Sequence, residues 1–539
     1  MTEKNTQRAL LLAFCLSGAA ALLYEVVWTR ALSLILGSTT YALSTMLATF
    51  MAGLAIGAYL GGKIADGKKN LIFYFGLLEL GIGFFGLITV PLIYSLPPVY
   101  FKMYKSFHLS PQLYFIFQFL FSAAIMLVPT TLMGATFPIV SKRLTRQMDE
   151  MGRRVAMAYS LNTLGAIFGS LSAGFLLIPA IGIKWSSFSA GCLNILVGGA
   201  VILLSREKTA KKIALSFVIL LFIAGFFVRG ASNEHPFATF YMADRFEDLG
   251  HMEDAEKMHV KLMEKDYSEG TVRAYSYNNY LLIQHGGKME GVGPGDVANT
   301  MMLAMLPVAA MEFPQEMLVI GLGAGITVFA GSHLVDKVSV VEINPGVVDV
   351  VRKYGIPGTL AGVDIHKDDA RRFLAMTDNT YDIITSEPSV PTESVSANLF
   401  TREFYEAAAS RLNPGGLFCQ GLQGWKLTKK DIRVCIKTFA SVFDHVYVWK
   451  SPDHDNFTLI GSHEPFSFTE KDVFEKMKKW KLIPEGHLET YPVRLILTPD
   501  KVRAIAEMPD IPLNTDDKPY LEFAMTRNFI FGRNFKKHR

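Results

Sequence analysis

Cysteine and charge are both scarce in this chain of 539 residues. The four cysteines, Cys15, Cys192, Cys419 and Cys435, form no CxxC pair, which argues against a disulfide framework and against a zinc or other metal site. Charged residues make up only 19% of the chain, and the net charge is +4. No Lys/Arg run is interleaved with aromatic residues, so nucleic acid is not an expected partner.

Apolar residues are abundant instead, at 50% of the chain, and the mean hydropathy is +0.26. A membrane-spanning helix needs about 20 predominantly apolar residues. Seven segments before residue 231 meet that need: 9–30, 41–62, 71–96, 112–140, 156–180, 185–204 and 212–229. The first segment lacks a cleavage pattern and does not look like a signal peptide. Residues 1–230 are therefore predicted to form a transmembrane domain of about seven helices.

Glycines recur at helical spacing within two of these segments. Gly53, Gly57 and Gly61 lie four residues apart, as do Gly165 and Gly169. Small residues at this spacing let helix backbones touch in lipid. We expect these glycines to lie at helix–helix contacts.

Two acidic residues, Glu25 and Glu79, lie inside predicted spans. Ionisable groups at such depth are costly and are often functional. Two interpretations stay open: the pair lines a path for a cation, or each residue is paired inside the bundle, for example with Arg30.

The loop charges raise a conflict over orientation. Short loops on one side carry 14 Lys/Arg residues and those on the other side carry 5, and the richer side is expected to be cytoplasmic. Seven spans then place the C-terminal half outside, whereas a nucleoside cofactor is expected in the cytoplasm. The side of the membrane stays open.

The most informative pattern lies in the second half of the chain. An apolar run at 317–320 enters a glycine turn at 321–325, and a second apolar run at 338–341 ends at Glu342. This order predicts a strand, a tight turn, a helix and a second strand that ends in a carboxylate. Such a carboxylate can accept hydrogen bonds from both hydroxyls of a ribose.

The pattern extends into an alternation of strands and helices over 313–465, which predicts a doubly wound parallel α/β sheet and a nucleoside-binding catalytic core. Before it we predict a helical connector at 231–270, then a β-hairpin and a helix at 271–312 that lead into the core. Residues 466–539 form a C-terminal extension.

Further candidate site residues follow other predicted core strands. Asp369 and Ala370 can hold an adenine, or Asp369 can cap the helix that follows; both interpretations can hold together. Glu387 can take a proton from an attacking amine and hold the resulting ammonium, with a plain surface acid as the alternative. Ligands bind at the carboxyl ends of the strands in such sheets, which is where these residues are expected.

Several sequence stretches occur together in this chain: PTTLMGATFP, VIGLGAGIT, VVEINPGVV, DDARRFL, YDIITSEPSVP, LNPGGLFCQGLQ and NTDDKPYLEF. With them, the second half resembles the spermidine synthases (polyamine aminopropyltransferases). The whole chain resembles bacterial membrane-fused spermidine synthase-like proteins. The resemblance implies a Rossmann-like domain of the class I methyltransferase type, preceded by a β-hairpin region and a multi-pass α-helical membrane domain.

The resemblance also implies an activity. An aminopropyl group passes from decarboxylated S-adenosylmethionine to putrescine or another polyamine, and methylthioadenosine is released. The implied catalytic residue is Glu387, and the implied cofactor contacts are Gly321, Gly323, Gly325, Glu342, Asp369 and Ala370. The implied location is the bacterial inner membrane, in contact with the lipid bilayer, with a homodimer left open.

The amine-binding side departs from the family pattern. Ala324 stands where soluble members have an acid that contacts the donor's amine, and Val390 stands where they have a second aspartate. Asn299-Thr300-Met301 replaces a motif that contains an acid, and Glu290 stands where a glutamine is expected. The acids that remain as candidates to hold an amine are Glu387, Glu290, Asp516, Asp517 and Glu522.

Two other functions stay open. The chain can be a methyltransferase that uses S-adenosylmethionine itself, a change of donor that fits the loss of the acid at Ala324. It can also be a polyamine transporter or sensor whose synthase-like domain is not catalytic.

Overall fold

The computed structural model describes residues 3–36, 40–95, 111–145, 150–205, 207, 209, 213, 258–267, 269–285, 288–291, 294–388, 390–392, 394–424, 427–451, 455–482 and 493–524. They belong to two compact units, a helical unit in the first half of the chain and an α/β unit in the second.

The helical unit consists of long helices. They are α1 (Glu3–Leu36), α2 (Thr40–Gly67), α3 (Leu71–Tyr94), α4 (Pro111–Leu144), α5 (Met151–Ser172) and α6 (Ile178–Leu204), with a π-helical turn at Ala173–Leu177 between the last two. Gly182 interrupts the helical backbone near the start of α6, at a φ of 79°. This break separates the fifth and sixth predicted segments.

Six of the seven predicted apolar segments coincide with these helices. The seventh, 212–229, lies outside the described residues except for residue 213. Within the described part of the chain, five helical stretches are long and apolar enough to cross a membrane, judged by length and composition, and Met151–Leu204 counts as one of them.

Glycines lie where the helices approach most closely, as their spacing predicts. A Cβ atom on Gly57 would lie 2.0 Å from the carbonyl oxygen of Thr131, and one on Gly165 would lie 1.9 Å from that of Cys15. The backbones of α2 and α4, and of α1 and α5, are therefore in direct contact. The predicted packing role of these glycines is confirmed.

The α/β unit begins with a small antiparallel sheet of β1 (Val260–Tyr267), β2 (Gly270–Tyr277), β3 (Tyr280–His285) and β4 (Lys288–Gly291), in that order. Asn278 and Asn279 join β2 to β3 with φ angles of 47° and 66°, which suit a two-residue hairpin turn. The Gly286-Gly287 pair, whose sequence predicts a turn in the hairpin region, lies outside the described residues.

The predicted helical connector at 231–270 is wrong over its last part. Residues of β1 pair with β2 from Val260↔Ser276 to Tyr267↔Gly270. The amphipathic spacing of 254–265 suggested a helix, but pairing with a neighbouring strand decided the local structure. Residues 231–257 lie outside the described part of the chain.

Helix α7 (Pro294–Ala310) leads into a sheet of eight strands. The core elements follow in chain order: β5 (Glu316–Ile320), α8 (Ile326–Ser332), β6 (Lys337–Val341), α9 (Pro345–Tyr354), β7 (Asp364–His366), α10 (Ala370–Met376), β8 (Tyr381–Ser386), α11 (Ser394–Ala397), α12 (Arg402–Ala409) and β9 (Leu412–Gln423). The remaining elements are α13 (Lys429–Ala440), β10 (His445–Lys450), β11 (Asn456–Ser462), α14 (Glu470–Trp480), β12 (Arg494–Leu497) and α15 (Pro499–Ala506).

The strand order in the large sheet is β12-β10-β11-β9-β8-β5-β6-β7. Strands β5 to β9 pair in parallel, as predicted, while β10, β11 and β12 add antiparallel pairings at one side. Helices α7, α8, α9 and α14 pack on one face, and α10, α12, α13 and α15 pack on the other. Both faces are covered, which explains the continuous apolar runs in the central strands.

The contact between α3 and α6 yields a matched test of helix packing. A Cβ atom on Gly198 would lie 2.8 Å from the Gly76 carbonyl oxygen, whereas one on the adjacent Gly199 would meet nothing within 4 Å. We expect Gly198→Ala to destabilise the helical unit by about 1–3 kcal/mol, because backbone cannot move aside as a side chain can. Gly199→Ala should leave stability nearly unchanged. Unfolding midpoints measured in one detergent compare the two, and equal midpoints would contradict the packing.

Candidate active site

Four strands of the large sheet end at the same level. Ile320 of β5 pairs with Val341 of β6 and with Ser386 of β8, and Val341 pairs with His366 of β7. The residues that follow these strand ends therefore share one edge of the sheet. The glycine turn, Glu342, Asp369 and Glu387 all lie at this edge, as their positions after the strands predict.

The glycine turn after β5 needs backbone conformations that other residues rarely adopt. Gly321, Gly323 and Gly325 have φ angles of 88°, 49° and 83°. A Cβ atom on Gly323 would meet nothing within 4 Å, so the turn has open space on that side. A turn with exposed backbone of this kind permits the close approach of a ligand.

Glu342 ties the glycine turn to the end of β6. One carboxylate oxygen accepts a hydrogen bond from the backbone N–H of Leu322 at 2.9 Å, and the other accepts from the N–H of Asn344 at 2.8 Å. The side chain is only 7% exposed. A carboxylate has about four acceptor positions, so these two bonds do not by themselves exhaust Glu342.

Asp369 is the N-cap of α10, which was one of its two predicted roles. Its Oδ1 accepts hydrogen bonds from the backbone N–H groups of Arg371 and Arg372, both at 3.0 Å. The next residue, Ala370, is buried. Contact of Asp369 and Ala370 with an adenine stays a prediction that is compatible with the cap.

Glu387 directly follows β8, and its backbone N–H donates to the carbonyl oxygen of Ile320 at 3.1 Å. The Thr300 hydroxyl of α7 donates to Oε1 at 3.2 Å, and the Thr327 hydroxyl of α8 donates to Oε2 at 2.9 Å. Two hydroxyl groups thus hold the carboxyl group of Glu387 in place at the edge of the sheet, and its catalytic role stays a prediction.

Sequence reasoning missed both threonines. Thr327 is 1% exposed and lies in the first turn of α8. Its position two residues after Gly325, directly after the glycine turn, was the signal in the sequence that could have indicated it. Thr300 is 87 residues from Glu387 in sequence, and no local pattern connects the two.

The thiol nearest to this group is not a nucleophile. Burial, together with the Glu387 charge, raises the pKa of Cys419 to about 12. Cys419 therefore stays protonated and inert at neutral pH. Among the described residues, no group of three or more His, Cys, Asp or Glu side chains is arranged to hold a metal ion.

The C-terminal segment NTDDKPYLEF touches the site through Asp516. Both carboxylate oxygens of Asp516 accept from the Arg371 guanidinium, and the Nη1–Oδ1 distance is 2.8 Å. This contact, with Arg371 as the main cause, lowers the pKa of Asp516 below its ordinary value. Asp516 is therefore engaged with Arg371, one residue after Ala370, and is not a free carboxylate for an amine.

The same segment is anchored by a buried asparagine. Asn514 is 1% exposed; its Nδ2 donates to the Phe400 carbonyl oxygen and its Oδ1 accepts from the Leu521 N–H. The backbone N–H of Asn514 donates to the Thr438 hydroxyl. These bonds fix the segment against Phe400 and α13, and the Arg371–Asp516 contact joins it to α10.

Comparisons with known proteins agree with this arrangement. The spermine/spermidine synthase domain family matches residues 297–452. Polyamine aminopropyltransferase 2 of Aquifex aeolicus is 22% identical over 537 residues, which cover 96% of this chain and 98% of that protein. Putrescine N-methyltransferase 2 of Nicotiana tabacum is 31% identical over 165 residues, which cover 29% of this chain and 44% of that protein.

Among solved structures, a spermidine synthase in complex with the transition state analogue AdoDATO is similar at 18% identity and a TM-score of 0.36, covering 47% of this chain and 86% of that one.

The matched domain and the topology define a Rossmann-type α/β domain of the spermidine synthase class. Residues 297–452 thus form a spermine/spermidine synthase domain, and nearly the whole chain is similar to a protein named a polyamine aminopropyltransferase, which is a transferase. An apolar helical region precedes the domain in the sequence.

The Arg371–Asp516 pair can be tested by nucleoside affinity. We expect Arg371→Gln and Asp516→Asn each to weaken methylthioadenosine binding about two- to fivefold, the range of a half-exposed ion pair. The double variant should bind methylthioadenosine no more weakly than either single variant. The pair should hold across neutral pH and be lost only as pH falls through the lowered pKa of Asp516.

Isothermal titration calorimetry measures this affinity without catalysis. Arg402→Gln is the matched control, because Arg402 forms a comparable pair with Glu406 on α12. Additive losses in the double variant would contradict a positioning role for the pair.

Thr327 yields a second test. Thr327→Val removes one of the two donors on Glu387 and should lower kcat about 10- to 100-fold, the worth of a hydrogen bond to a charged group. Thr327→Ser keeps the hydroxyl and should restore most of the activity. The KM for the nucleoside donor should change little in both. A Ser variant as impaired as the Val variant would assign Thr327 to packing alone.

Proposed function

We propose that this protein is a membrane-bound aminopropyltransferase that uses decarboxylated S-adenosylmethionine and releases methylthioadenosine. The observation that carries the proposal is the shared strand edge of the matched domain. It holds the glycine turn, Glu342 and Asp369 on one side and the positioned Glu387 on the other.

The residues present fit the nucleoside. Gly323 leaves open space beside an exposed backbone turn, and Glu342 retains acceptor capacity for ribose hydroxyls. The buried Ala370 next to the cap of Asp369 gives an apolar surface for an adenine. These groups would bind and orient the donor.

The chemistry requires a carboxylate beside the acceptor. The lone pair of the acceptor amine attacks the methylene carbon of the aminopropyl group that is bonded to the sulfonium sulfur. A C–N bond forms, and the bond between that carbon and the sulfur breaks. The sulfur keeps the electron pair and becomes the neutral thioether of methylthioadenosine. Glu387 accepts the surplus amine proton or holds it as an ammonium ion.

The acceptor is putrescine or another amine. Val390 is 1% exposed and offers no charge where the family pattern has a second acid. The Glu290 side chain lies outside the described residues. An ammonium group without a partner is costly to desolvate, so Glu387 is the anion that we assign to the reacting amine.

Membrane attachment is supported by the surface of the helical unit. Large apolar side chains face outward along these helices, among them Leu12, Phe168 and Phe175 at 63%, 75% and 80% exposure. Aqueous proteins rarely expose so much contiguous apolar surface. We therefore assign the helices to a lipid bilayer, the inner membrane of a bacterial cell.

One observation favours a second candidate, an S-adenosylmethionine-dependent methyltransferase. Ala324 removes the acid that the family pattern directs at the donor's amine, and a change of donor would account for the loss. The chain is also 31% identical to a putrescine N-methyltransferase over 165 residues. The two candidates differ in product: S-adenosylhomocysteine for the methyltransferase, methylthioadenosine for the aminopropyltransferase.

The test is mass spectrometry of nucleoside products from the detergent-purified protein. Each donor is supplied separately with a mixed amine pool. We expect amine-dependent methylthioadenosine from the decarboxylated donor. S-adenosylhomocysteine alone would establish the second candidate, and the absence of both products would point to a transporter or sensor with a non-catalytic domain.

Glu387 should carry the reaction. Glu387→Gln keeps the side-chain shape but removes the charge, and we expect kcat to fall at least about 100-fold. Glu507→Gln, at an exposed acid after α15, is the control and should retain activity. Unchanged turnover in Glu387→Gln would remove Glu387 from the mechanism without affecting the nucleoside assignments.

A further inference from the structure

A polar cluster lies fully inside the helical unit. It consists of Tyr24 of α1, Glu79 of α3 and Asn194 of α6, which are each at most 1% exposed, and we call it the Glu79 cluster. The Tyr24 hydroxyl donates to Asn194 Oδ1 at 3.0 Å, and Asn194 Nδ2 donates to Glu79 Oε2 at 2.6 Å. Three helices therefore meet at one carboxyl group.

The second oxygen of this carboxyl is not satisfied by a firm hydrogen bond. Oε1 of Glu79 is buried and has no hydrogen-bond partner within the described residues, although the Ser17 hydroxyl of α1 lies near the same carboxyl. A buried carboxyl oxygen in this state either carries a proton or bears an uncompensated charge.

Within the described parts of α1, α3, α4 and α6, the basic side chains lie at a distance along the helices from the Glu79 cluster. Glu79 is the only charged residue of α3, and α4 has none before Lys142. On α6, Lys184 precedes Asn194 by ten residues, about 15 Å along the helix. On α1, Arg30 follows Tyr24 by six residues, about 9 Å along the helix.

The other ionisable groups at the cluster are weak acids. Tyr24 interacts with Glu79 and with Cys192 of α6. Neither the tyrosine nor the cysteine can supply a positive charge. Glu25, next to Tyr24 on α1, is itself an acid. An ionised Glu79 would therefore be a buried anion without a cation, which is strongly unfavourable.

The surroundings admit little beyond a proton. A Cβ atom on Gly198 would lie 3.0 Å from the Cβ of Glu79, and one on Gly83 would lie 2.8 Å from the Gly191 carbonyl oxygen. The backbones of α3 and α6 thus touch beside Glu79 and again about one turn further along α3. A polyamine or a hydrated metal cation does not fit such a contact.

We propose that Glu79 is a proton-binding site of the helical unit, carrying an exchangeable proton as a neutral carboxylic acid. Loss of the proton would leave a charge between α1, α3 and α6 and weaken their packing. Protonation of Glu79 and the packing of these helices are therefore linked, independently of the transferase activity.

Difference infrared spectroscopy of the full chain, wild type against Glu79→Gln, tests the proposal. We expect a carboxylic acid carbonyl band that the variant lacks, that shifts in D2O and that disappears as pH is raised. A band that is absent at every pH would mean that Glu79 is ionised. A band that neither shifts nor titrates would mean a fixed structural acid. Either result overturns the proposal.

Unfolding midpoints give an independent readout. Gln is the neutral isostere of a protonated Glu, so Glu79→Gln should unfold close to the wild type at neutral pH, as should the control Glu25→Gln. A large loss confined to Glu79→Gln would show that the negative charge is required. A wild-type midpoint that depends on sodium at fixed pH and ionic strength would replace the proton with a metal cation.

Discussion

The parallel register of β5 with β6 and β8 is the constraint on which the site depends. It brings Ile320, Val341 and Ser386 to one level, so that the turn, Glu342 and Glu387 emerge together. A shift of a single residue would turn each side chain to the opposite face of the sheet. The apolar residues of β5 hold the register, because they are buried alternately against the two helix layers.

Glu342 shows why the turn and the strand tip act as one unit. Its two backbone hydrogen bonds join residues that are 20 and 2 positions away in sequence. The carboxylate therefore shapes the turn. A glycine turn alone is a common feature, and the link to Glu342 is what distinguishes this one.

Candidate site residues that follow strand ends could be located from the sequence. Those that depend on contacts between distant parts of the chain could not. Gly321, Glu342 and Glu387 were predictable because carboxyl ends of parallel strands meet. The Arg371–Asp516 pair spans 145 residues and has no local signature. The helical connector predicted over 231–270 was wrong over its last part because amphipathic spacing cannot exclude a strand that pairs with a neighbour.

The helical unit encloses polar side chains and exposes large apolar ones, which reverses the usual arrangement of an α/β domain. Its polar groups, Tyr24, Glu79 and Asn194, are enclosed, while Phe168 and Phe175 face outward. Lipid tails are as apolar as the helix surfaces, so the hydrophobic effect does not drive helices together in lipid. Helices associate there through close packing and internal hydrogen bonds. The glycines that allow α3 and α6 to touch also exclude water from Glu79. Tight packing therefore stabilises the neutral form of the acid, and ionisation of that acid opposes tight packing.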